Sequence, residues 1–522
     1  MTNSPRNSKK SRRPLIETTF KLPGDIPVWP PGDGFANGII DLGGGLLVSQ
    51  ISTFNKIWTT YEDGPDDLGV TFFEPTGLSE GFFVLGHYCQ PNNKPLHGWV
   101  LVGKDSSSTA NGALKKPLDY KLVCNIKSLQ NKQDEQVYIW LPMAPNGYKV
   151  VGHVVTTSKD KPSFDRIMCV RSDLTDECVK YKSMKLWGAE NKRLNVYDVR
   201  PIKGGIEAKG VCVGTFLAQC SGRTKTNSQT LPIVCLKNTN DNRFSSMPNL
   251  HQIETLIKAY SPYMYLHPLE NYLPSSVEWF FINGALLCEK NKGVINESPI
   301  EPTGANLPQG YSSIERFNHD YWLDLPMDVT ERERVKKGNL QSSKAYIHVK
   351  PMLGGTFTDI VMWVFYPFNG GARAKVAFLN IPLRSKGEHV GDWEHVTLRV
   401  SNFSGELWSV YLSQHSKGEW VDSCELEFQN GNRPLVYSSL HGHALFPRPG
   451  CVMQGVRGFG IRNDACKSEL VMDMVKGFEI VGAEYLGSEI REPHWLNYEM
   501  NWGPKEGPKG PKQKDFWKGD ER

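Results

Sequence analysis

Apolar residues in the first half of the chain come in short runs that end at Pro or Gly, and three of these runs line up with one another. Val70-Thr-Phe-Phe-Glu-Pro75 leads to Gly81-Phe-Phe-Val-Leu-Gly-His87, and Val137-Tyr-Ile-Trp-Leu-Pro142 leads to Gly147-Tyr-Lys-Val-Val-Gly-His153. A weaker third copy runs from Val196-Tyr-Asp-Val-Arg-Pro201 to Gly210-Val-Cys-Val-Gly-Thr-Phe216. Each copy follows an apolar strand at a similar offset, namely Lys56-Ile-Trp58, Leu122-Val-Cys124 and Lys185-Leu-Trp187. A strand closed by Pro, a Gly and a second strand form a hairpin-like unit with too little apolar surface to stand alone. Three such units around a pseudo-threefold axis share one core, which predicts a prism-like β-repeat module over residues 20–245, with 221–246 as a polar linker or long loop.

Beyond the linker the period changes. Leu250, Ile253, Leu256 and Ile257 recur at three- and four-residue spacing between Pro248 and Pro262, which predicts a short amphipathic helix, and a second short helix is expected over Asp328 to Lys337. Runs at Ala345–His348, Phe357–Phe365, Lys375–Ile381, Val396–Val400, Trp408–Ser413 and Leu435–Ser438 read as strands of a second unit, a β-sandwich over residues 246–503. The fold class is therefore mainly β: a repeat module, then a sandwich with a few short helices. Residues 1–19 read as a disordered basic arm, and the Gly-, Pro- and Lys-rich residues 504–522 as a disordered tail.

Composition agrees, with 49 Gly, 34 Pro and 11% aromatics in 522 residues, a mixture suited to strands and turns. The net charge of +4 sits in the two tails, since the first thirteen residues hold five basic side chains and no acid. The body is not basic, so no nucleic-acid partner is expected. No apolar run is long enough to span a membrane and the N-terminus lacks the apolar core of a secretory signal. The eleven cysteines contain no Cys-x-x-Cys pair and read as free thiols in a reducing compartment, hence a cytoplasmic chain with peripheral contact to endomembranes. Lys9, Lys10, Arg12 and Arg13 suit nuclear import or anionic lipid, with a solvated arm as the plainer reading.

Candidate chemistry concentrates in one region. His389-Val-Gly-Asp392-Trp-Glu394-His395, then His415, then His441-Gly-His443, hold five of the thirteen histidines. Strand alternation puts Asp392, Glu394 and Val396 on one face with Trp393 and His395 on the other. His389, Asp392, Glu394, His415, His441 and His443 are thus candidate ligands of a divalent metal ion, the candidate cofactor, with Glu394 as a candidate general base. The competing reading is that these groups satisfy backbone atoms at sandwich turns. His267 and Glu270, in Tyr265-Leu-His267-Pro-x-Glu270, either join that site or pack the junction. Gly370-Gly371 beside Arg373 and Lys375, and Gly43-Gly-Gly45, read as turns, and neither a His-Glu-x-x-His nor a Gly-x-Ser-x-Gly signature occurs.

Several longer strings carry a resemblance: Trp29-Pro-Pro-Gly-x-Gly-Phe-Ala36, Gly147 to His153, Arg171-Ser-Asp-Leu-Thr175, Tyr260 to Pro268, Leu353-Gly-Gly-Thr-Phe-Thr-Asp359 and Glu388 to His395. Together they resemble the plant vacuolar protein sorting-associated protein 62 family over residues 19–503. The Pro-x-Gly-Tyr-x-x-x-Gly repeat is also similar to adaptor-binding repeats of vacuolar protein sorting-associated protein 13, which implies a recognition role for Gly81, His87, Gly147, Tyr148 and His153. The leading expectation is a non-catalytic binding or adaptor protein of membrane trafficking that recognises a protein or lipid surface. A metal-dependent hydrolase using residues 389–443 is the second reading, and a lectin-like or membrane-lytic defence protein the third.

Overall fold

The computed structural model describes residues 18–59, 69–92, 94–107, 111–127, 136–187, 193–221, 231–291, 293–309, 320–376, 379–383, 386–415, 417–456, 459–504 and 507–521. The expected basic arm therefore lies outside the described residues except at its end, where Thr19 bridges Leu96 in parallel.

The fold is mainly β, and its first half is built three times over. In the first repeat, Phe54–Thr59, Val70–Pro75 and Tyr88–Pro91 form a three-stranded antiparallel sheet with Val70–Pro75 in the middle. Asp119–Lys127, Gln136–Met143 and Val154–Thr156 repeat it, and so do Cys178–Trp187, Arg193–Pro201 and Phe216–Ser221. Each repeat adds a second sheet with its last strand in the middle: Val100–Asp105 between Leu46–Ile51 and Phe83–Val84, Cys169–Arg171 between Leu114–Lys115 and Tyr148–Lys149, and Cys235–Lys237 between Thr175–Asp176 and Gly210–Val211, with Ile39–Asp41 added at the edge of the first. The first sheets of the three repeats share one core, with Trp58, Phe72, Cys124, Ile139, Val196 and Phe216, and the second sheets share another, with Leu46, Leu85, Val151, Val170, Val213 and Leu236. Near the axis the backbones nearly touch: a Cβ on Gly86 would lie 2.7 Å from the Gly152 Cα. Only glycine fits there, which explains the Gly of the Gly-His pair in the first two copies.

The second half is a sandwich with a further layer. Lys417–Asp422, Leu407–Gln414, His389–Ser401, Phe357–Asn369, Ala345–Met352 and Phe478–Gly482 form a six-stranded sheet in that order, antiparallel except for its last pair. One face packs Ile347, Ile360, Met362, Val396, Leu398 and Val410 against helix α1 (Leu250–Tyr260) and against a second sheet that supplies Met264, Val436, Leu445 and Met472. Helix α1 begins where Asn249 and Gln252 form a reciprocal capping box and stops directly before Ser261-Pro262. The other face packs Trp363, Phe365 and Trp393 against helix α2 (Val277–Ile282) and Trp495, Trp502 and Trp517. Helix α3 (Val329–Lys336) is capped by Asp328 and matches the expected second helix.

Four expectations need correction. The expected linker 221–246 contains Cys235–Lys237, the closing strand of the third repeat. The single strand expected over Lys375–Ile381 is two antiparallel strands, Arg373–Val376 and Leu379–Pro382. The tail 504–522 is packed in its described part: Trp517 is 2% exposed and stacks on His348 at 3.7 Å, and the Lys350 Nζ donates to the Phe516 carbonyl. Its Gly and Pro content suggested disorder, but its Trp and acidic side chains have partners on the sheet. The expectation of free thiols fails at Cys124 and Cys220, which form a disulfide between the second and third repeats across 96 positions of sequence.

The axis contact makes a direct prediction. Gly86→Ala forces a methyl group onto the Gly152 backbone and the Thr215 side chain, so thermal unfolding should show a loss of about 1–3 kcal/mol, the usual cost of overpacking.

Candidate functional site

The strand His389–Ser401 carries the candidate chemistry because both of its faces are buried and its side chains alternate between two different environments. Val396 lies in the sandwich core and Trp393 in the layer behind the sheet, so Asp392 and Glu394 share the Val396 face as their spacing predicts. Register sets Asp392 opposite Tyr366, and Glu394 opposite Val364, on the neighbouring strand. At this end of the sheet two loops arrive, one carrying His267 and Glu270, the other carrying His441 and His443.

The loops are fixed by carboxylates. The Asp392 Oδ2 accepts from the His443 Nδ1 at 2.9 Å and its Oδ1 from the Trp393 amide at 3.0 Å. The His443 ring is fully buried, stacks on Tyr366 with centroids 3.7 Å apart, and its Nε2 has no partner among the described residues. Burial opposes the Asp392 charge, yet the His443 hydrogen bond and the nearby His389 and Lys514 hold its carboxyl below the usual range. Glu394, two residues on, behaves oppositely. Burial and the Asp392 charge push its carboxyl up to about 8, and it accepts a hydrogen bond from the Ser413 hydroxyl. The pair thus holds one ionised and one protonated carboxyl side by side, an arrangement that stores a proton near neutral pH.

Glu270 anchors the second loop pair. Its Oε1 accepts from the Asn271 and Tyr272 amides at 3.0 and 2.9 Å, and its Oε2 from the His441 amide at 2.6 Å. Burial raises its carboxyl less than these bonds and the two nearby histidines lower it. His441, His443 and His415 all have positive φ, at 67°, 55° and 53°, so each sits in a left-handed turn.

The candidate ligands therefore meet in pairs. Asp392 meets His443, Glu270 meets His441, and His389 turns its Nδ1 to the Gly391 carbonyl at 2.7 Å. His415 is exposed and turns its Nε2 to Asn463 at 3.0 Å, while the His267 Nδ1 accepts from the Leu269 amide at 3.1 Å. Among the described residues, no three of the six candidate metal ligands bring donor atoms within 4.8 Å of one another, and the group that does is Asp359, Asp520 and Glu521. That group is engaged by Arg399 and Lys350, two cations that leave it poorly suited to a metal. Tyr366 and Ser413, which complete the Asp392 and Glu394 environments, were not singled out in the sequence. Only the strand register, with Ser413 two positions before His415, pointed to them.

Of the repeat residues read as a recognition surface, His87, Tyr148 and His153 are buried, while Gly81 and Gly147 are exposed. His87 and His153 are 2% and 0% exposed, with His87 accepting from the Val155 amide and His153 hydrogen-bonded to the Phe216 carbonyl. Burial lowers the two imidazoles to about 3 and about 4, so both are neutral at pH 7. Tyr148 is 8% exposed and hydrogen-bonds the Gly112 carbonyl, while Gly81 and Gly147 make turns at φ 79° and 81°. These residues build the prism core and its turns.

A family model for vacuolar protein sorting-associated protein 62 matches residues 16–505. The chain belongs to that family. Vacuolar protein sorting-associated protein 62 of Saccharomyces cerevisiae is 24% identical over 330 residues, which cover 55% of this chain and 67% of the yeast protein. Two solved structures show partial likeness. GNIP1Aa of Chromobacterium piscinae has a TM-score of 0.29 at 18% identity, over 41% of this chain and 40% of its own. Necrosis and ethylene inducing protein 2, from the agent of cocoa's witches' broom disease, has a TM-score of 0.21 at 13% identity, over 37% of this chain and 67% of its own. Among the described residues no helix is long and apolar enough to cross a membrane.

Glu394 gives a pH prediction. Its folded value near 8 lies above the ordinary 4.5, so the folded state holds a proton that the unfolded state releases between those values. Stability from this group is fully present below about pH 4.5 and is lost as pH rises through about 8. The melting temperature should therefore fall by several degrees between pH 6 and pH 9, and Glu394→Gln, which keeps the neutral shape, should flatten that fall.

Proposed function

We propose that this protein is a binding module of vacuolar sorting that docks a protein or lipid surface through a sheet projecting from the sandwich. The observation that carries this reading is the four-stranded sheet formed by Leu379–Pro382, Arg373–Val376, Phe459–Ala465 and Gly450–Val456. Its register gathers Leu379, Ile381, Ile461 and Val452 on one face, and Leu379, Ile381 and Val452 are 54%, 40% and 38% exposed. Arg373, Lys375 and Arg462 stand on the opposite face. Exposed apolar side chains gathered on one face of a sheet mark an interaction surface more often than a packing accident. Family membership supplies the process, vacuolar sorting, and supports a peripheral position on endomembranes.

The hydrolase reading draws less support, because Asp392, Glu394, Glu270 and His443 are buried and engaged in contacts that fix loops, while His389 and His415 turn to a carbonyl and to Asn463 and do not join them. The decisive experiment changes the patch and reads sorting. Leu379→Ser with Ile381→Ser should leave the melting temperature within about 1 °C, since exposed substitutions usually cost under 0.5 kcal/mol. In cells where the double variant replaces the native protein, a soluble vacuolar protein should escape to the medium. Normal delivery of that cargo, in the variant and in cells lacking the protein altogether, would contradict the proposal.

A further inference from the structure

A cleft of about 470 Å³ lies where the prism meets the sandwich. The first repeat contributes Lys94 and Trp99, the third Tyr181 and Asp198, and the sandwich Arg399, Trp408, Trp420 and Asp422. That volume is in the range of small-molecule sites, which favour domain junctions. We propose that this cleft binds a neutral oligosaccharide.

The charges in the wall narrow the choice. The Lys94 Nζ lies 2.5 Å from the Asp422 Oδ2, and the Arg399 guanidinium reaches Asp359 at 2.7 Å and Asp520 at 3.3 Å. An anion entering the cleft would have to compete with one of these pairs and leave its partner uncompensated, and it would also face Asp198 and Glu425 in the same wall. A hydroxyl does not: an ammonium offers three donors and a carboxylate about four lone-pair sites, so a paired ion still has room for a sugar hydroxyl. A hydrocarbon tail is excluded for the opposite reason, because it would strip water from these ions and return no hydrogen bond.

The aromatic groups complete the match. Trp99, Tyr181, Trp408 and Trp420 give the cleft flat apolar faces of the kind that receive the C–H face of a sugar ring. A quaternary ammonium would also seek such rings, but the guanidinium groups over two of them, Arg399 over Trp420 at 4.0 Å and Arg200 over Tyr181 at 4.3 Å, repel a second cation and do not repel a neutral sugar. Trp408 stacks on His97 with centroids 4.8 Å apart, and its buried Nε1 has no acceptor among the described residues. A buried donor without an acceptor is costly, and a ligand hydroxyl oxygen supplies the acceptor.

The test is a titration of the full chain, followed by intrinsic tryptophan fluorescence and calorimetry, with maltotriose, cellotriose, mannotriose and chitotriose, and with choline chloride and inorganic phosphate as ionic comparators. At least one neutral trisaccharide should saturate the protein, and neither comparator should. Trp408→Phe, which removes the N–H together with the five-membered ring of the indole, should weaken that binding at least about fivefold, the size of one hydrogen bond. Tyr181→Ala, at a position already 40% exposed, should weaken it more without moving the melting temperature. Vesicles with and without glucosylceramide separate a lipid-borne sugar from a free or protein-borne one: binding that requires the sugar in either form supports the proposal, and binding to plain vesicles alone overturns it. No saturable binding of any trisaccharide, binding of choline or phosphate instead, or sugar binding unchanged by both substitutions also overturns it.

Discussion

A lysine with no exposed surface must have its charge met, and Lys350 finds its partners in one short segment. Its Nζ lies 2.9 Å from the Phe516 carbonyl, 3.4 Å from the Gly519 carbonyl and 3.7 Å from the Glu521 carboxylate. On the same sheet face Arg399 joins Asp359 to Asp520, and the Thr397 hydroxyl donates to Glu521. An isolated buried charge costs several kcal/mol, so this face of the six-stranded sheet is complete only when residues 511–521 lie over it. Trp517 and Phe516 supply the apolar cover, stacking on His348 and on Trp363 and His395. His395 accordingly stays neutral, since burial and the cations Lys350 and Lys514 all disfavour its charge.

The same strand ties this charged face to the rest of the molecule. His389–Ser401 sends Asp392 and Glu394 to the loop-locking end of the sandwich and Arg399 to the cleft beside the prism. The junction is polar and specific. The Asn238 and Ser246 side chains donate to the Gly354 and Gly355 carbonyls at 2.6 and 2.7 Å, and the His97 Nε2 meets the Trp408 carbonyl at 3.0 Å. The Leu353-Gly-Gly segment makes this contact by three consecutive positive φ angles, and a Cβ on Gly354 would lie 2.5 Å from Val211. A motif that reads as a family signature in the sequence is thus a hinge point of packing between the prism and the sandwich.

Local periodicity carried most of the fold into the sequence. The Gly81–His87 and Gly147–His153 strings revealed the repeat because the same axial packing demands the same residues twice, and the third copy was faint because Thr215, not histidine, follows its glycine. Helix α1 was legible from its spacing and its flanking prolines. What escaped was set by distant partners: Lys350 and Phe516 are 166 positions apart, and Cys124 and Cys220 are 96 apart. A Gly-, Pro- and Lys-rich tail looks unfolded when its partners cannot be seen. Alternation placed Asp392 and Glu394 correctly on one face, but the left-handed turns at His415, His441 and His443 direct those rings to separate partners, which no spacing rule conveys.

The central claim is that the closing segment holds the six-stranded sheet together by meeting its buried charges. Amide hydrogen exchange in Trp517→Ala compared with the native chain tests it most directly. The account predicts faster exchange in Ala345–Met352 and His389–Ser401, with Gln136–Met143 in the prism unchanged. Equal protection of all three strands in the two proteins would contradict it.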